Sequence, residues 1–196
     1  MEFDRKALSQ RLETAQRYHK NMDDAAYGYL KSRGISDIVA ANFMLGISDD
    51  VYEGRLTIPY LRPSGVVWFN YRAMNGETPK YKAAGKKHLY NTADLDVADN
   101  TGEIAVAEGE IDTITASALC GVPCVGIPGA TQWTGNPHWR ELFTGYQRVH
   151  ILADPDEAGI GLATAIMENL PQARLVKLPG DVNETYLKYG DIREFM

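Results

Sequence analysis

The spacing of apolar residues divides the chain into a helical start, a short β region and a longer part in which strands and helices alternate. In the first 45 residues, apolar positions recur every three or four residues, which predicts helices in "DRKALSQRLETAQRYHKN", "MDDAAYGYLKSRG" and "SDIVAANFML". Ser36 is the expected N-cap of the third helix. From Gly54 the pattern becomes β-branched and aromatic, and "RLTIPYL" and "GVVWFNYRA", separated by "RPSG", predict a hairpin. The polar, basic and loop-rich segment "MNGETPKYKAAGKKHLYN" follows.

After residue 102 the chain alternates between predicted strands and helices. The strands are "EIAVAE", "VPCVGIPG", "RVHILAD" and "ARLVKL", and the helices are "GEIDTITASALCG", "NPHWRELF", "PDEAGIGLATAIMENL" and "NETYLKYG". Strands that are nearly continuously apolar are buried on both faces, which is typical of a mostly parallel sheet covered by helices. We therefore predict an α/β fold in two domains. A small basic α+β domain spans residues 1–102, and a mostly parallel sheet flanked by helices spans residues 103–196.

The composition is that of a globular protein. Of the 196 residues, 44% are hydrophobic and 23% are charged, both ordinary values for a folded soluble domain. The sequence shows no secretory signal, and no apolar run approaches the roughly 20 residues that span a bilayer, so we expect a cytoplasmic protein without a membrane partner. Cys120 and Cys124 lie in apolar surroundings, which predicts buried free thiols and no zinc site.

The net charge of −6 is distributed unevenly. Residues 1–102 carry 14 Lys and Arg against 13 Asp and Glu, whereas residues 103–196 carry 6 against 13. The basic residues concentrate between Arg55 and Tyr90. This segment holds seven Lys and Arg residues and a single acidic residue, Glu77. This segment is either a solvated surface or a site for a polyanion that the acidic half then processes.

The run "RVHILADPDEAG" ends a predicted strand in an acidic cluster that has two interpretations. Asp154 is a favoured N-cap, Pro155 suits the first helical position, and Glu157 at the third completes a capping box. The same cluster also lies beyond the carboxyl end of a strand, where open α/β sheets place their functional groups. Capping is sufficient for this stretch alone, so other residues must distinguish the two interpretations.

Two more carboxylates are predicted at the same edge of the sheet. Glu108 follows "EIAVA" and Asp181 follows "LVKLPG", and Glu is a poor N-cap, so capping does not account for Glu108. Carboxylates held together raise one another's pKa unless a cation lies between them. Mg²⁺ takes such oxygen ligands together with water and substrate phosphates, and it supports phosphoryl transfer. The usual phosphate loops, "GxxxxGK" and "GxGxxG", are absent from the sequence.

Several segments resemble a known family. "VAEGEIDTITASALCGVPCVGIPG", "ILADPDEAGIGLA" and "KLPGDVNETYLKYG" resemble the three motifs of a Toprim domain, a metal-binding α/β module. "YLKSRGISDIVAANFMLGIS", "GRLTIPYLRPSGVVWFNYRAM" and "PKYKAAGKKHLYN" resemble the catalytic core of bacterial and phage DnaG-type primases, which precedes Toprim in that family. The resemblance covers about residues 25–190, nearly the whole chain.

The resemblance implies a role for each candidate residue. Glu108, Asp154 and Asp156 are the catalytic acidic residues, and with Asp181 they are the ligands of Mg²⁺ or Mn²⁺; no zinc is expected. Asn183 stands where many relatives carry a second aspartate, which weakens that position as a ligand. The residues implied to contact template or incoming nucleotide are Arg55, Arg72, Lys80, Lys82, Lys86 and Lys87.

The chain also departs from the family. Primases of this type usually begin with a zinc ribbon, for which this sequence holds no Cys/His set, and we expect no helicase-binding region. We therefore expect template recognition or helicase coupling to come from a separate chain. The resemblance also favours a phage or mobile-element origin, and for a phage protein the compartment is the cytoplasm of the bacterial host.

Three functions follow from these observations. The leading one is a DNA primase, a nucleotidyltransferase that makes short RNA primers from ribonucleoside triphosphates on single-stranded DNA by two-metal chemistry. A Toprim nuclease would use the same ions with water as nucleophile. A non-catalytic accessory would bind DNA or a replication partner. The sequence leaves open whether Glu108 is a metal ligand or the general base.

Overall fold

The computed structural model describes residues 4–83 and 85–196. Their contacts form two compact units that meet in sequence between Lys86 and Lys87. In chain order the elements of the first unit are α1 (Arg5–Lys20), α2 (Asp24–Ser32), α3 (Asp37–Asn42), β1 (Gly46–Ile47), β2 (Leu56–Arg62), β3 (Gly65–Arg72) and β4 (Tyr81–Lys82). Those of the second are α4 (Ala93–Ala98), β5 (Glu103–Ala107), α5 (Glu110–Ile114), β6 (Cys124–Gly126), α6 (Ala130–Gly135), β7 (Arg148–Leu152), α7 (Glu157–Met167), β8 (Ala173–Leu175) and α8 (Val182–Tyr189).

The first unit is an antiparallel sheet with helices. Its strand order is β1-β2-β3-β4, and β2 and β3 form the predicted hairpin, with Leu56 opposite Arg72. Helix α1 packs against β3, where Tyr18 meets Phe69 and Tyr71 edge to face in a buried apolar cluster. The short strand β4 pairs with the end of β3, which places Tyr81 opposite Arg72. This pairing closes the loop between β3 and β4.

The second unit is built on a parallel sheet of order β6-β5-β7-β8. Successive residues of β5 enter different apolar clusters: Ile104 and Val106 belong to one, and Ala105 and Ala107 to the other. Both faces of the sheet are therefore covered, which confirms the α/β architecture that the continuous apolar runs predicted. Cys120 and Cys124 are both buried, as predicted.

Residues 87–102 belong to the unit with the parallel sheet, although the change in sequence pattern placed the domain boundary after residue 102. Tyr90 exchanges backbone hydrogen bonds with Gly126, and the Cys124 amide donates to the Asp94 carboxylate at 2.8 Å. The Tyr146 hydroxyl donates to the Leu95 carbonyl at 2.9 Å. The segment is polar and has no clear periodicity, so its attachment to the sheet is invisible in the sequence pattern. Within the described ranges, no helix has the length and apolar character needed to cross a membrane.

Candidate functional site

The parallel sheet brings two of the predicted acidic residues to neighbouring strand ends. β5 and β7 are adjacent and parallel, with Ala107 opposite Leu152. Glu108 follows β5 directly, and Asp154 comes two residues after the end of β7. Both side chains are intermediate in exposure, since the residues before them are buried in the sheet. The predicted meeting of these two strand ends at one edge is confirmed.

The loop after β7 is held by the start of α7. Asp156 is the N-cap, and its Oδ1 accepts a hydrogen bond from the Gly159 amide at 2.9 Å. The prediction that Asp154 caps this helix is wrong, because the helix begins at Glu157, two residues later than the sequence pattern indicated. Asp156 thus caps the helix, and the Asp154 carboxylate is not needed for that role.

A close backbone contact fixes Asp154 further. A Cβ atom on Gly159 would lie 2.1 Å from the Asp154 carbonyl oxygen and 2.8 Å from its amide nitrogen. Such distances are far inside van der Waals contact, so only glycine allows the first turn of α7 to rest on the Asp154 backbone. The helix start therefore positions Asp154 at the sheet edge.

The charges of two neighbouring carboxylates act on the pKa of Glu108. Burial raises the pKa of Glu108, and the negative charges of Asp154 and Asp156 raise it further, whereas Lys87 lowers it. Asp154, Asp156 and Lys87 therefore all lie within electrostatic range of Glu108. This is the arrangement expected where carboxylates share a cation or a proton.

The donors fit a hard divalent cation only with help from other ligands. Among residues 4–83 and 85–196, no three His, Cys, Asp or Glu side chains are grouped closely enough to hold a metal ion by themselves. Mg²⁺ is usually bound by one or two carboxylates, with water and substrate phosphates completing its octahedron. Glu108 and Asp154 supply carboxylate oxygens of that kind at one sheet edge.

Asp181 has a different local role. It is the N-cap of α8, where its Oδ1 accepts from the Glu184 amide at 2.7 Å. Two residues later, Asn183 is 1% exposed, and its side-chain amide donates to Thr115 Oγ1 at 2.9 Å. The structure thus gives Asp181 a capping role and Asn183 a buried structural one, and ion binding by Asp181 stays a prediction.

Asp112 is a neighbour of this site that the sequence reasoning missed. Its Oδ1 accepts from the Asn183 amide at 3.1 Å, and its Oδ2 lies 2.7 Å from where a Gly109 Cβ would stand. Asp112 therefore connects the turn after Glu108 to the start of α8. Its place as an acidic residue in the first turn of the helix that follows Glu108 was the available signal.

The basic segment of the first unit contains two buried arginines. Arg55 is 3% exposed, and its guanidinium donates to the Pro79 carbonyl at 2.8 Å and lies 2.8 Å from Glu77. Arg72 is 5% exposed and donates from Nε to the Tyr29 hydroxyl at 2.6 Å and from Nη1 to the Tyr81 hydroxyl. Both guanidinium groups are therefore held by residues of the first unit.

The predicted lysines are more accessible. Lys80, Lys86 and Lys87 are exposed, and the Lys80 ammonium lies 5.7 Å from the Tyr81 ring centroid. Lys82 is intermediate, with its ammonium 3.6 Å from Glu77 and 5.4 Å from the Tyr52 ring centroid. Lys80, Lys82 and Lys86 belong to the first unit, whereas Lys87 belongs to the second, near Glu108.

The fold has known counterparts. The chain aligns over its whole length with the RNA polymerase domain of Mycobacterium tuberculosis primase DnaG, covering 84% of that chain with a TM-score of 0.79 at 19% identity. It also matches a DnaG primase catalytic domain bound to ssDNA, over 95% of this chain and 76% of that one, with a TM-score of 0.73 at 22% identity. The fold is therefore that of the catalytic core of DnaG-type primases.

Sequence similarity identifies a nearer relative than these structural matches, which are 19% and 22% identical to the chain. The chain is 44% identical over 149 residues to the Gene 57 protein of Mycobacterium phage D29, and the alignment covers 71% of this chain and 95% of the relative. The chain belongs to the family of that phage protein. No family model matches it.

Proposed function

We propose that the protein is a DNA primase core, which synthesises short RNA primers from ribonucleoside triphosphates on a single-stranded DNA template. The observation that carries the proposal is the pairing of Glu108 and Asp154 at adjacent strand ends in a DnaG-type fold. The exposed lysines of the basic segment support it, because a polyanionic template is held chiefly by such charges.

In this reaction the 3′-hydroxyl oxygen of the growing primer forms a bond to the α-phosphorus of the incoming nucleotide. The bond from that phosphorus to the pyrophosphate breaks, and the hydroxyl proton leaves. Mg²⁺ or Mn²⁺ would supply charge neutralisation at the attacking and leaving oxygens. Asp154 and Glu108 would hold it, with Asp156 and Asp181 as further candidate ligands.

Glu108 is also a candidate for receiving the proton. Burial and the neighbouring carboxylates raise its pKa, which makes its carboxylate a stronger base than an exposed glutamate. Lys87, on the same unit, has the charge to attract triphosphate oxygens toward Glu108. In this proposal the acidic groups at the sheet edge bind the metal ion and accept the proton, and Lys87 attracts the triphosphate.

A primer-synthesis assay tests the proposal. Purified protein is incubated with a single-stranded template, labelled ribonucleotides and Mg²⁺ or Mn²⁺, alone and with a separate zinc-ribbon or helicase-linked chain. We expect labelled oligoribonucleotides that vanish in Glu108→Ala and Asp154→Ala. Glu168→Ala, an exposed carboxylate on the same unit just after α7, is the matched control and should keep full synthesis.

The other outcomes identify the alternatives. Template cleavage without synthesis, lost in the same variants, would assign a Toprim-type nuclease. Template binding with neither activity, unchanged by either substitution, would assign a non-catalytic accessory. Synthesis that survives both substitutions would rule out the acidic edge as the catalytic site.

A further inference from the structure

We infer that Arg55 and Arg72 are positioning residues, which hold the segment 74–82 in place, and that the exposed lysine of this segment makes the nucleic-acid contact. The inference deepens the proposed function and rests on it for the identity of the ligand. The sequence alone gives these two arginines and the lysine the same role, whereas the structure separates them.

The loop that begins the segment is polar and exposed. Residues 75–80 are all exposed, and the loop leaves β3 and returns as β4 through a backbone hydrogen bond from Ala73 to the Lys80 carbonyl at 2.8 Å. β4 is only two residues long. A two-residue strand contributes few ladder hydrogen bonds, so other contacts must stabilise one conformation of the loop.

Arg55 supplies contacts of that kind to the loop. Its Nη1 donates to the Pro79 carbonyl at 2.8 Å and lies 3.4 Å from the Lys80 carbonyl. Its Nη2 is 2.8 Å from Glu77 Oε1, and the hydrogen bond from Arg55 lowers the pKa of that carboxyl. One buried guanidinium thus contacts three residues of the loop, a geometry that the fixed fork of arginine allows and a lysine ammonium does not reproduce.

Arg72 holds the strand that follows. It donates to the hydroxyl groups of Tyr29, on α2, and Tyr81, on β4. Its guanidinium carbon lies 5.1 Å from the Tyr81 ring centroid and 5.9 Å from that of Tyr29. Arg72 therefore ties β4 to helix α2 by hydrogen bonds and by cation–π contact.

The burial of both arginines separates them from a bound polyanion. At 3% and 5% exposure, the two arginines present almost no surface to solvent, whereas Lys80, in the segment that they contact, is exposed. A phosphate contact by either arginine would require it to leave its protein partners. Holding Lys80 in a fixed position reduces the conformational entropy lost when it binds a phosphate, so the arginines act on affinity through Lys80.

Charge-conserving variants test the inference. In Arg55→Lys and Arg72→Lys the positive charge stays, but the shorter ammonium does not reproduce the forked set of hydrogen bonds of the guanidinium. We expect amide hydrogen exchange in residues 74–82 of the free protein to become faster by about tenfold or more in both. Lys80→Ala, the matched contact variant, should leave exchange in that segment unchanged.

Binding to a fluorescent single-stranded oligonucleotide gives the second measurement. Lys80→Ala should reduce the slope of log K against log salt by about 0.7, the value for one lost phosphate contact on a single strand. Arg55→Lys and Arg72→Lys should weaken binding several-fold in the wild-type background and add almost nothing in the Lys80→Ala background. This coupling to Lys80 would not arise from a general loss of stability.

Unchanged exchange over residues 74–82 would overturn the inference, as would losses of affinity that add in full to that of Lys80→Ala. If either arginine variant fails to fold, Glu77→Ala and Tyr29→Phe each remove one partner, of Arg55 and of Arg72 respectively. The exchange measurement is then made on these two variants. Absence of single-stranded DNA binding by the wild-type protein would remove the proposed function, while the exchange measurement would still decide the positioning role.

Discussion

Asp50 shows how partners decide the ionisation of a single residue. Burial alone would raise its pKa, but hydrogen bonds from Tyr18 and Arg17 outweigh burial and lower the pKa from 3.8 to about 2. The ion pair with Arg17 is 2.6 Å long. A depressed folded-state pKa stabilises the fold above the unfolded pKa, and this contribution is lost as the pH falls through the folded value.

We therefore expect Asp50→Asn to lower the melting temperature at pH 7, and the difference from wild type to shrink as the pH falls from about 4 toward about 2. Thermal unfolding followed by circular dichroism over that range measures it. Tyr18→Phe removes one donor and should move the pKa of Asp50 back toward its ordinary value in a carboxyl NMR titration. A difference in melting temperature that is constant with pH would contradict the assignment.

Asn183 shows a buried amide in a structural role. Its side chain donates to Thr115 Oγ1, and its backbone amide donates to Asp112. Asn183→Ala leaves the Thr115 hydroxyl without this donor in a buried site, so we expect a loss of about 1–3 kcal/mol in the free energy of unfolding. Urea denaturation measures the loss. Thr115→Val in combination should cost less than the sum of the two single changes, and full additivity would exclude the contact as the cause.

The start of helix α7 depends on a glycine that no other residue can replace. Because a Cβ on Gly159 would lie 2.1 Å from the Asp154 carbonyl oxygen, Gly159→Ala must displace the loop. We expect a loss of about 1–3 kcal/mol in stability, typical of overpacking, together with reduced primer synthesis because Asp154 moves. Gly161→Ala, two residues along the same helix, meets nothing within 4 Å.

Gly161→Ala is therefore the matched control for this prediction. It should stabilise the protein by about 0.5–1 kcal/mol, because alanine loses less backbone entropy than glycine in a helix. Chemical denaturation of both variants, with synthesis measured in parallel, gives the comparison. Equal stability of the two variants would mean that the close approach at Gly159 is not a constraint.

Elements with a strong apolar period were predictable from the sequence, and elements defined by tertiary contact were not. The hairpin and the strands of the parallel sheet follow from runs such as residues 56–62 and 148–152, which bury consecutive side chains over most of their length. Helix α4 and strand β4 lie in the polar segment after β3, where packing against neighbours, not local pattern, decides the structure. The predicted helix over "GEIDTITASALCG" continues as a π-helix at Thr115–Leu119, where Thr115 accepts from Asn183 on α8.

The same distinction applies to the candidate site, where some features were predictable from the sequence and others depend on tertiary contacts. A parallel sheet predicts that Glu108 and Asp154 lie at one edge, because its strands end there together. The adjacency of β5 and β7 is seen only in the structure. The N-cap shifts from Asp154 to Asp156 because the tight contact at Gly159 sets where α7 begins, and propensities of single residues do not record such a packing contact. For the same reason sequence could not separate the buried Arg55 and Arg72 from the exposed Lys80, since side-chain burial depends on what packs above it.

At the scale of the whole molecule, the charges are segregated along the chain. Residues 103–196 carry 13 acidic and 6 basic residues, whereas seven of the 14 basic residues of the first 102 lie between Arg55 and Tyr90. A protein with a net charge of −6 binds a polyanion only if its cations act locally, and at physiological salt the Debye length of about 8 Å confines each charge to its surroundings. Template binding and primer synthesis should therefore be separable by mutation.

The double variant Lys80→Ala/Lys86→Ala should weaken single-stranded DNA binding and reduce the salt slope by about 1.4, which is about 0.7 for each lost contact. The double variant Glu108→Ala/Asp154→Ala should keep the wild-type slope and affinity, since it removes only negative charge, while synthesis is abolished. Anisotropy titrations at several salt concentrations measure binding, and the primer assay measures synthesis on the same preparations. If the carboxylate variant loses as much binding as the lysine variant, the template contacts depend on the acidic edge, and the separation of binding from chemistry fails.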